Sequence, residues 1–407
     1  MKKTKYMFSI YAGATPDSKN SEYWDGDIVW ITPADYKTTD KYISCGAKSL
    51  TKAGYNASNT TIVPAGSIIV SKRAPIGTVS IAEVPLCTNQ GCLSCVPNDD
   101  VDSSFAYYAL SSMSDEMQVL GAGTTFKEIS ANAFANMKIP YFPLPEQHAI
   151  VRYLDAKCAA IDEAIERHKK IIEKLEEYKR SSIIKAVNGD ISDNTKASGI
   201  AWMPTVPSHW GVVPMRFALT QRKNKNEGLV EKNLLTLSYG KIKRKDIETN
   251  EGLLPASFEG YNIIEAGDIV LRLMDLQNDK HSLRTGLVTE RGIITSAYVT
   301  VIPTEGFDPA YCRYLLHAYD LMKVFYSMGE GVRQGLTYDD LSRTLLIPKP
   351  PIDEQSKIAS NIIKMEGSVD ASIGKQNAML EKLEEYRKSV IYNAVTGKID
   401  CRTETQP

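Results

Sequence analysis

Residues 174–181 read KLEEYKRS and residues 382–389 read KLEEYRKS. Such an octapeptide recurs by chance among coiled coils, so its meaning depends on how far the match extends. Shifting the chain by 208 residues also lays Glu146-Gln147 on Glu354-Gln355, Asp162 on Asp370, Ile165 on Ile373 and Gly189 on Gly397. Over 143–189 against 351–397, 17 of 47 positions are identical without a gap. Pairs such as Leu144/Ile352, Ile161/Val369 and Ile172/Leu380 are conservative. That many matches in one register is an internal duplication.

Each copy has the grammar of a long helix. Pro143 and Pro351 interrupt what precedes, and Glu146 and Glu354 place an acid in the first turn, where the helix dipole favours it. Apolar residues follow at Ile150, Leu154, Ile161, Ile165, Ile172 and Leu175, with Cys158 and His168 filling the gaps. The spacings run four, four, three, four, three, four, three, close to an a/d seam. The second copy repeats it with Ile358, Ile362, Val369, Ile373, Leu380 and Leu383. Gly189 and Gly397 stand where a left-handed C-terminal glycine belongs. Each helix is expected to run about 40 residues, about 60 Å. Neither can bury its stripe alone, so the two are expected to pack on each other. His168 and Gln376 occupy matched seam positions, either as a polar register lock or as exposed edge residues.

The segments before each helix, 1–142 and 206–350, then form two equivalent globular domains. Stretches such as TTIVPAGSIIVSKR (60–73) and IIEAGDIVLRL (263–273) alternate β-branched residues with Gly and Pro, as short strands joined by tight turns do. Each segment closes with a glycine loop, a short helix and an Ile-Pro pair, from Gly121 to Pro140 and from Gly329 to Pro348. Beyond these landmarks the two scarcely match. Residues 190–205, polar with Gly and Pro, read as a linker. The expected fold is α+β: mixed globular domains with β-rich cores at 1–142 and 206–350. Two long helices, 143–189 and 351–400, separate them as an antiparallel coiled coil in a pseudo-twofold repeat.

Several classes of chemistry are excluded by what is missing. No apolar run reaches the ~18 residues of a membrane span, and the first residues lack an apolar stretch of signal-peptide length. No G-x-x-x-x-G-K-[ST] phosphate loop, strand-then-G-x-G-x-x-G or Asn/Asp-Pro-Pro-aromatic quartet is present. The five histidines show no paired ligand spacing, so no metal site is expected. Seven cysteines, an odd number with no framework spacing, read as thiols in a reducing compartment, including Cys92-x-x-Cys95. Asp35, Glu83 and Asp275 with Lys280 read as turn or surface residues rather than as a nuclease site. No catalytic constellation remains.

What remains is local charge. The net charge is −1, yet residues 216–245 hold nine Lys or Arg against two Glu, a local excess of seven. Cations interleaved with amides suit phosphate contact with readout of base edges. Candidate DNA-binding residues here are Arg222, Lys223, Lys225, Lys241, Lys243, Arg244 and Lys245, with Arg272, Arg333 and Gln334 downstream. In the first segment they are Lys72, Arg73, Asn89, Gln90, Thr124, Thr125 and Lys127. A solvated basic loop, and a plain turn at 88–91, are the competing readings.

Two dissimilar globular segments, each ending in Pro…Glu-Gln and a LEEY helix, resemble the specificity subunit of type I restriction–modification enzymes. The resemblance spans essentially the whole chain, with particular matches at SKRAPIGTVSIAEVPLCTNQG (71–91) and VPSHW (206–210). The first segment lacks a Pro-x-x-Trp opening like Pro207–Trp210. The resemblance implies a non-catalytic prokaryotic, cytoplasmic protein that reads double-stranded DNA with a bipartite site, one half per domain. It implies that the helices set the spacer and dock two methylase subunits, and that a restriction/translocase subunit joins them. S-adenosylmethionine, ATP and Mg are then expected on the partners and no cofactor on this chain. The alternatives are a coiled-coil scaffold binding protein partners and a stand-alone DNA methylase.

Overall fold

The computed structural model describes residues 1–37, 39–121, 128–189, 194–246, 257–278, 282–328 and 335–402. The fold is mixed α+β. Four helices organise it: α1 (Ser103–Ser111), α2 (Leu144–Asn188), α3 (Pro309–Leu321) and α4 (Ile352–Val395). The duplication is thus realised as helices of 45 and 44 residues that pack together. The chain divides into two compact units, Met1–His168 with Asn377–Pro407, and Lys169–Gln376. Each long helix therefore gives one part to each unit.

The first unit holds β1 (Phe8–Ala12), β2 (Ile68–Ser71), β3 (Val79–Ala82) and β4 (Cys92–Pro97) in the sheet order β1-β4-β2-β3, extended by Tyr42–Ile43. A smaller sheet joins Trp24–Ile31 to Lys48–Leu50 and Cys87–Thr88. The second unit holds β5 (Leu219–Gln221), the hairpin β6 (Leu235–Ser238) and β7 (Lys241–Arg244), then β8 (Ile269–Leu271), β9 (Thr285–Leu287) and β10 (Val299–Pro303). Its main sheet runs β5-β10-β8-β9. By chain order this is the four-strand arrangement of the first unit, although the sequences barely align. The hairpin β6–β7 is a separate two-stranded sheet.

A single duplicated side chain joins helix to domain in each unit. Gln147 is fully buried; its Oε1 accepts the Asp102 amide at 2.8 Å, and its Nε2 donates to the carbonyls of Asp100 (2.9 Å) and Phe142 (2.7 Å). Gln355, also fully buried, accepts from the Asp308 amide at 2.9 Å and donates to Gly306 (3.0 Å) and Pro350 (2.9 Å). Asp102 and Asp308 in turn cap α1 and α3, accepting from Phe105 and Tyr311 at 2.8 Å each. One amide thus satisfies a helix start, a cap and a loop at once, which only Gln or Asn chemistry allows.

Packing follows the same division. In the first unit Ile150, Leu154 and Cys158 of α2 share a core with Phe105 of α1 and with Val390 and Ala394 of α4. In the second, Ile183 and Val187 of α2 meet Ile362 of α4, Leu315 of α3 and Trp210. Of the twelve seam positions, Ile150, Leu154, Ile161, Ile362 and Val369 are buried. Ile165, Ile172, Leu175, Ile358, Ile373, Leu380 and Leu383 are half-buried. Arg387 meets Asp162 at 3.0 Å in the first unit, and Lys179 meets Asp370 at 2.8 Å in the second. These two pairs occupy matched positions of the duplication.

The linker reading of 190–205 is corrected. Within the described residues, Thr195–Ile200 pairs antiparallel with Met203–Pro207 as a hairpin, and Ile200, Met203 and Val206 are buried. Alternation along a short polar stretch was masked by its Gly and Pro. The VPSHW motif closes this corner: Trp210 Nε1 donates to Glu354 Oε1 at 3.0 Å, and His209 Nε2 lies 2.8 Å from Oε2. Gly189 ends α2 with φ +69°, and a Cβ there would lie 2.5 Å from Pro207 Cδ. Both conformation and space demand glycine at that point.

His317 of α3 is a buried histidine without a hydrogen-bond partner for Nδ1 among the described residues. Burial first, then the cations Arg313, Lys179 and Arg180, push its pKa from 6.5 to about 3. The unfolded chain therefore binds the proton more readily than the folded one. Stability is complete above pH 6.5 and falls as pH drops, by about 3 kcal/mol near pH 4. Urea midpoints of His317→Phe should lack most of this slope; equal slopes in both proteins would refute the assignment.

Candidate nucleic-acid interface

In the second unit the basic run lies on the hairpin β6–β7. Pairing sets Leu237 opposite Ile242 and Leu235 opposite Arg244, with Leu235 and Leu237 buried against Ile264 and Val270. The alternate positions, Thr236 with Lys243 and Ser238 with Lys241, share the other face. Lys241 and Lys243 are exposed on it, and neither forms an ion pair among the described residues. Tyr239 and Gly240 make the turn with φ +50° and +71°, the two left-handed residues of a type I′ hairpin. Tyr239 stands at the tip, 79% exposed.

Other candidates have different fates. Arg222 is not a surface reader: its Nη2 donates at 2.8 Å to Asp268, whose side chain is only 2% exposed. Asp268 also accepts the Glu265 amide at 2.8 Å, closing the turn before β8. Counting charge along the sequence could not reveal that partner. Arg244 is exposed but forked onto Glu290, with both Nε distances 2.9 Å, and this holds the Glu290 carboxyl below its usual range. Lys225 donates to the Gly260 carbonyl at 2.9 Å. Lys223 and Arg272 are exposed and Lys245 is half-buried. Arg333 and Gln334 lie outside the described residues, as do Thr124, Thr125 and Lys127.

In the first unit Lys72 Nζ and Arg73 Nε each lie 2.8 Å from one oxygen of Glu128, just past the glycine loop. The Lys72 contact, then Arg73, holds the Glu128 carboxyl below its ordinary range. The Ile129 amide donates to the Lys72 carbonyl at 3.0 Å, as Leu336 does to Leu273 at 2.8 Å. The chain after each glycine loop is therefore pinned to the end of the same central strand. Lys72 and Arg73 serve this anchor, a role their sequence setting did not signal. Asn89 closes a turn by accepting the Gly91 amide at 2.8 Å, and Gln90 bonds Thr15.

The remaining chemical candidates are structural. Both Asp35 oxygens are occupied, by the Thr32 amide and hydroxyl at 2.7 Å and the Ala47 amide at 2.8 Å. Asp275 accepts from Asn278 at 2.7 Å, and Glu83 is exposed. Cys92 and Cys95 sit three apart on β4 and face opposite sides, one toward Tyr36, the other toward Phe105. Burial raises the Cys92 thiol to about 12. Among the described residues, no cluster able to hold a metal occurs and no helix is long and apolar enough to cross a membrane.

Residues 1–177 match the family model of the type I restriction modification DNA specificity domain. The match covers the first unit and the start of α2, so similarity to that domain is carried by this part of the chain. It is 38% identical over 179 residues to the type I restriction enzyme MjaIX specificity subunit of Methanocaldococcus jannaschii, covering 43% of this chain and 40% of that protein. It is 30% identical over 142 residues to the HindI specificity subunit of Haemophilus influenzae, covering 34% and 31%. The aligned part is thus well under half the length of these relatives. The MjaVIII specificity subunit aligns more widely, 22% identical over 74% of this chain and 71% of its own. Among solved structures, a chain from work on assembly and conformational transition of the type I R-M system has a TM-score of 0.71 at 15% identity. It covers 98% of this chain and 97% of its own. The HsdS subunit of Thermoanaerobacter tengcongensis has a TM-score of 0.55 at 15% identity, covering 98% and 96%. These two likenesses establish the fold.

Proposed function

We propose that the chain is the non-catalytic DNA-reading subunit of a type I restriction–modification complex. Each globular domain reads one half of a bipartite double-stranded site. Helices α2 and α4 act as an antiparallel coiled coil about a pseudo-twofold, setting the unread spacer and docking two methylase subunits. S-adenosylmethionine, ATP and Mg would act on those methylases and on a restriction subunit, in the cytoplasm of a prokaryotic cell. The observation carrying this reading is one four-strand arrangement presented twice on a duplicated helix, with different surfaces. A shared frame with diverged contents suits two readers of different sequences.

The test maps adenine methylation in DNA from cells expressing the neighbouring methylase with and without this chain. A bipartite methylated motif that requires the chain is expected. Replacing residues 1–142 with another recognition domain should change one half of that motif. Changes in both halves would contradict separate readers. No motif from an assembled complex would favour a protein-binding scaffold.

A further inference from the structure

The tip of the β6–β7 hairpin carries a residue that the turn itself does not favour. Type I′ turns take Asn, Asp or Gly at their first central position because φ is positive there. Tyr239 occupies it at φ +50°, a left-handed conformation that is costly for a bulky L-residue. Its side chain gains little in return from the protein, being 79% exposed. Strain retained without packing marks a position held for another purpose.

The hairpin is braced so that the tip is held in place. Gly286 of β9 lets it close on the sheet, since a Cβ there would lie 2.6 Å from Leu237 Cδ1 and 2.9 Å from Ile242 Cδ1. At the turn, the Gly240 carbonyl accepts from Arg313 at 3.5 Å, and Leu283 Cδ2 lies 3.5 Å from where a Gly240 Cβ would sit. After the tip, Lys241 and Lys243 are exposed on one face of β7. An exposed aromatic ring on a braced turn, followed by two exposed cations on the next strand, matches a nucleobase next to phosphates.

We propose that Tyr239 is the wedge by which the second unit engages its half-site, stacking on a base and partly unstacking one step of the duplex. This rests on the DNA-reading function proposed above and adds a residue to it. Lys241 and Lys243, on the strand that follows the tip, supply phosphate contacts on one side of that base. The ring, rather than the hydroxyl, makes the contact.

The experiment uses the full chain with duplexes bearing the mapped motif, or a scrambled motif, with 2-aminopurine placed in turn across the half-site. Wild type should prefer the motif and raise 2-aminopurine fluorescence at one position. Tyr239→Gly should fold with an equal or higher urea midpoint, because the turn strain is relieved. It should nonetheless bind the motif about tenfold more weakly, with an unchanged salt slope and no fluorescence rise. Tyr239→Phe should behave as wild type. Lys241→Ala and Lys243→Ala should each reduce the salt slope by about one. Should Tyr239→Gly bind within twofold of wild type and keep the fluorescence rise, the wedge is wrong and DNA reading stands. Should wild type fail to prefer the motif, both are wrong.

Discussion

Gln147→Ala is expected to lower the stability of the first unit by about 3–5 kcal/mol, one of the two largest effects among these predictions. The estimate follows from orphaning the Asp102 amide and the carbonyls of Asp100 and Phe142, each costing about 1–3 kcal/mol if buried and unpaired, less what water recovers. Gln147→Glu should be at least as damaging. The acceptor toward Asp102 would survive, but an ionised oxygen would replace the donor and face two carbonyls. Gln355→Ala should act equally on the second unit through Asp308, Gly306 and Pro350. Because the two residues belong to separate cores, the losses should add within a few tenths of a kcal/mol. Urea unfolding followed by tryptophan fluorescence measures this. A loss under about 1 kcal/mol for Gln147→Ala would mean that water replaces the amide without penalty.

Arg222→Ala should destabilise the second unit by about 3–5 kcal/mol, because Asp268 is left charged and buried without its partner. A surface DNA contact would behave in the opposite way, leaving stability alone and reducing the salt dependence of binding. The double variant Arg222→Met with Asp268→Asn should recover much of the loss, since neither buried charge remains. Urea midpoints together with salt-titrated DNA binding separate the outcomes. An Arg222→Ala protein of native stability but weakened, less salt-sensitive binding would return this arginine to the interface.

Those two residues show where reading the chain by eye succeeds and where it stops. The long helices begin and end within a residue or two of the duplicated segment, because Pro143, Pro351, Gly189 and Gly397 act locally. Strand-and-turn content was visible in β-branched runs punctuated by Gly and Pro. By contrast, Glu-Gln was recognisable as a repeated pair while its purpose was not, since two of the three partners of Gln147, Asp102 and Asp100, lie 45 and 47 residues away. Basic residues appeared equivalent in a window of 30, yet Arg222 faces a buried aspartate, Arg244 a glutamate, and Lys241 solvent. Charge is written in the sequence; its partner is not. Tyr239 carries a signal in its Tyr-Gly pair between two β-runs, beside the stronger signal of the neighbouring lysines.

The division of the chain also has a consequence for its birth on the ribosome. The second unit is continuous, Lys169–Gln376, and all its core residues have been made once α4 is half synthesised. The first unit needs Val390, Ala394 and Val395 to fill the core around Phe105 and Leu154. Its earlier strands must wait for the last stretch of α4 before that core is complete, across a loop closure of more than 200 residues. The domain translated first is thus finished last, and during that interval its apolar surface is open to a chaperone or to another nascent chain.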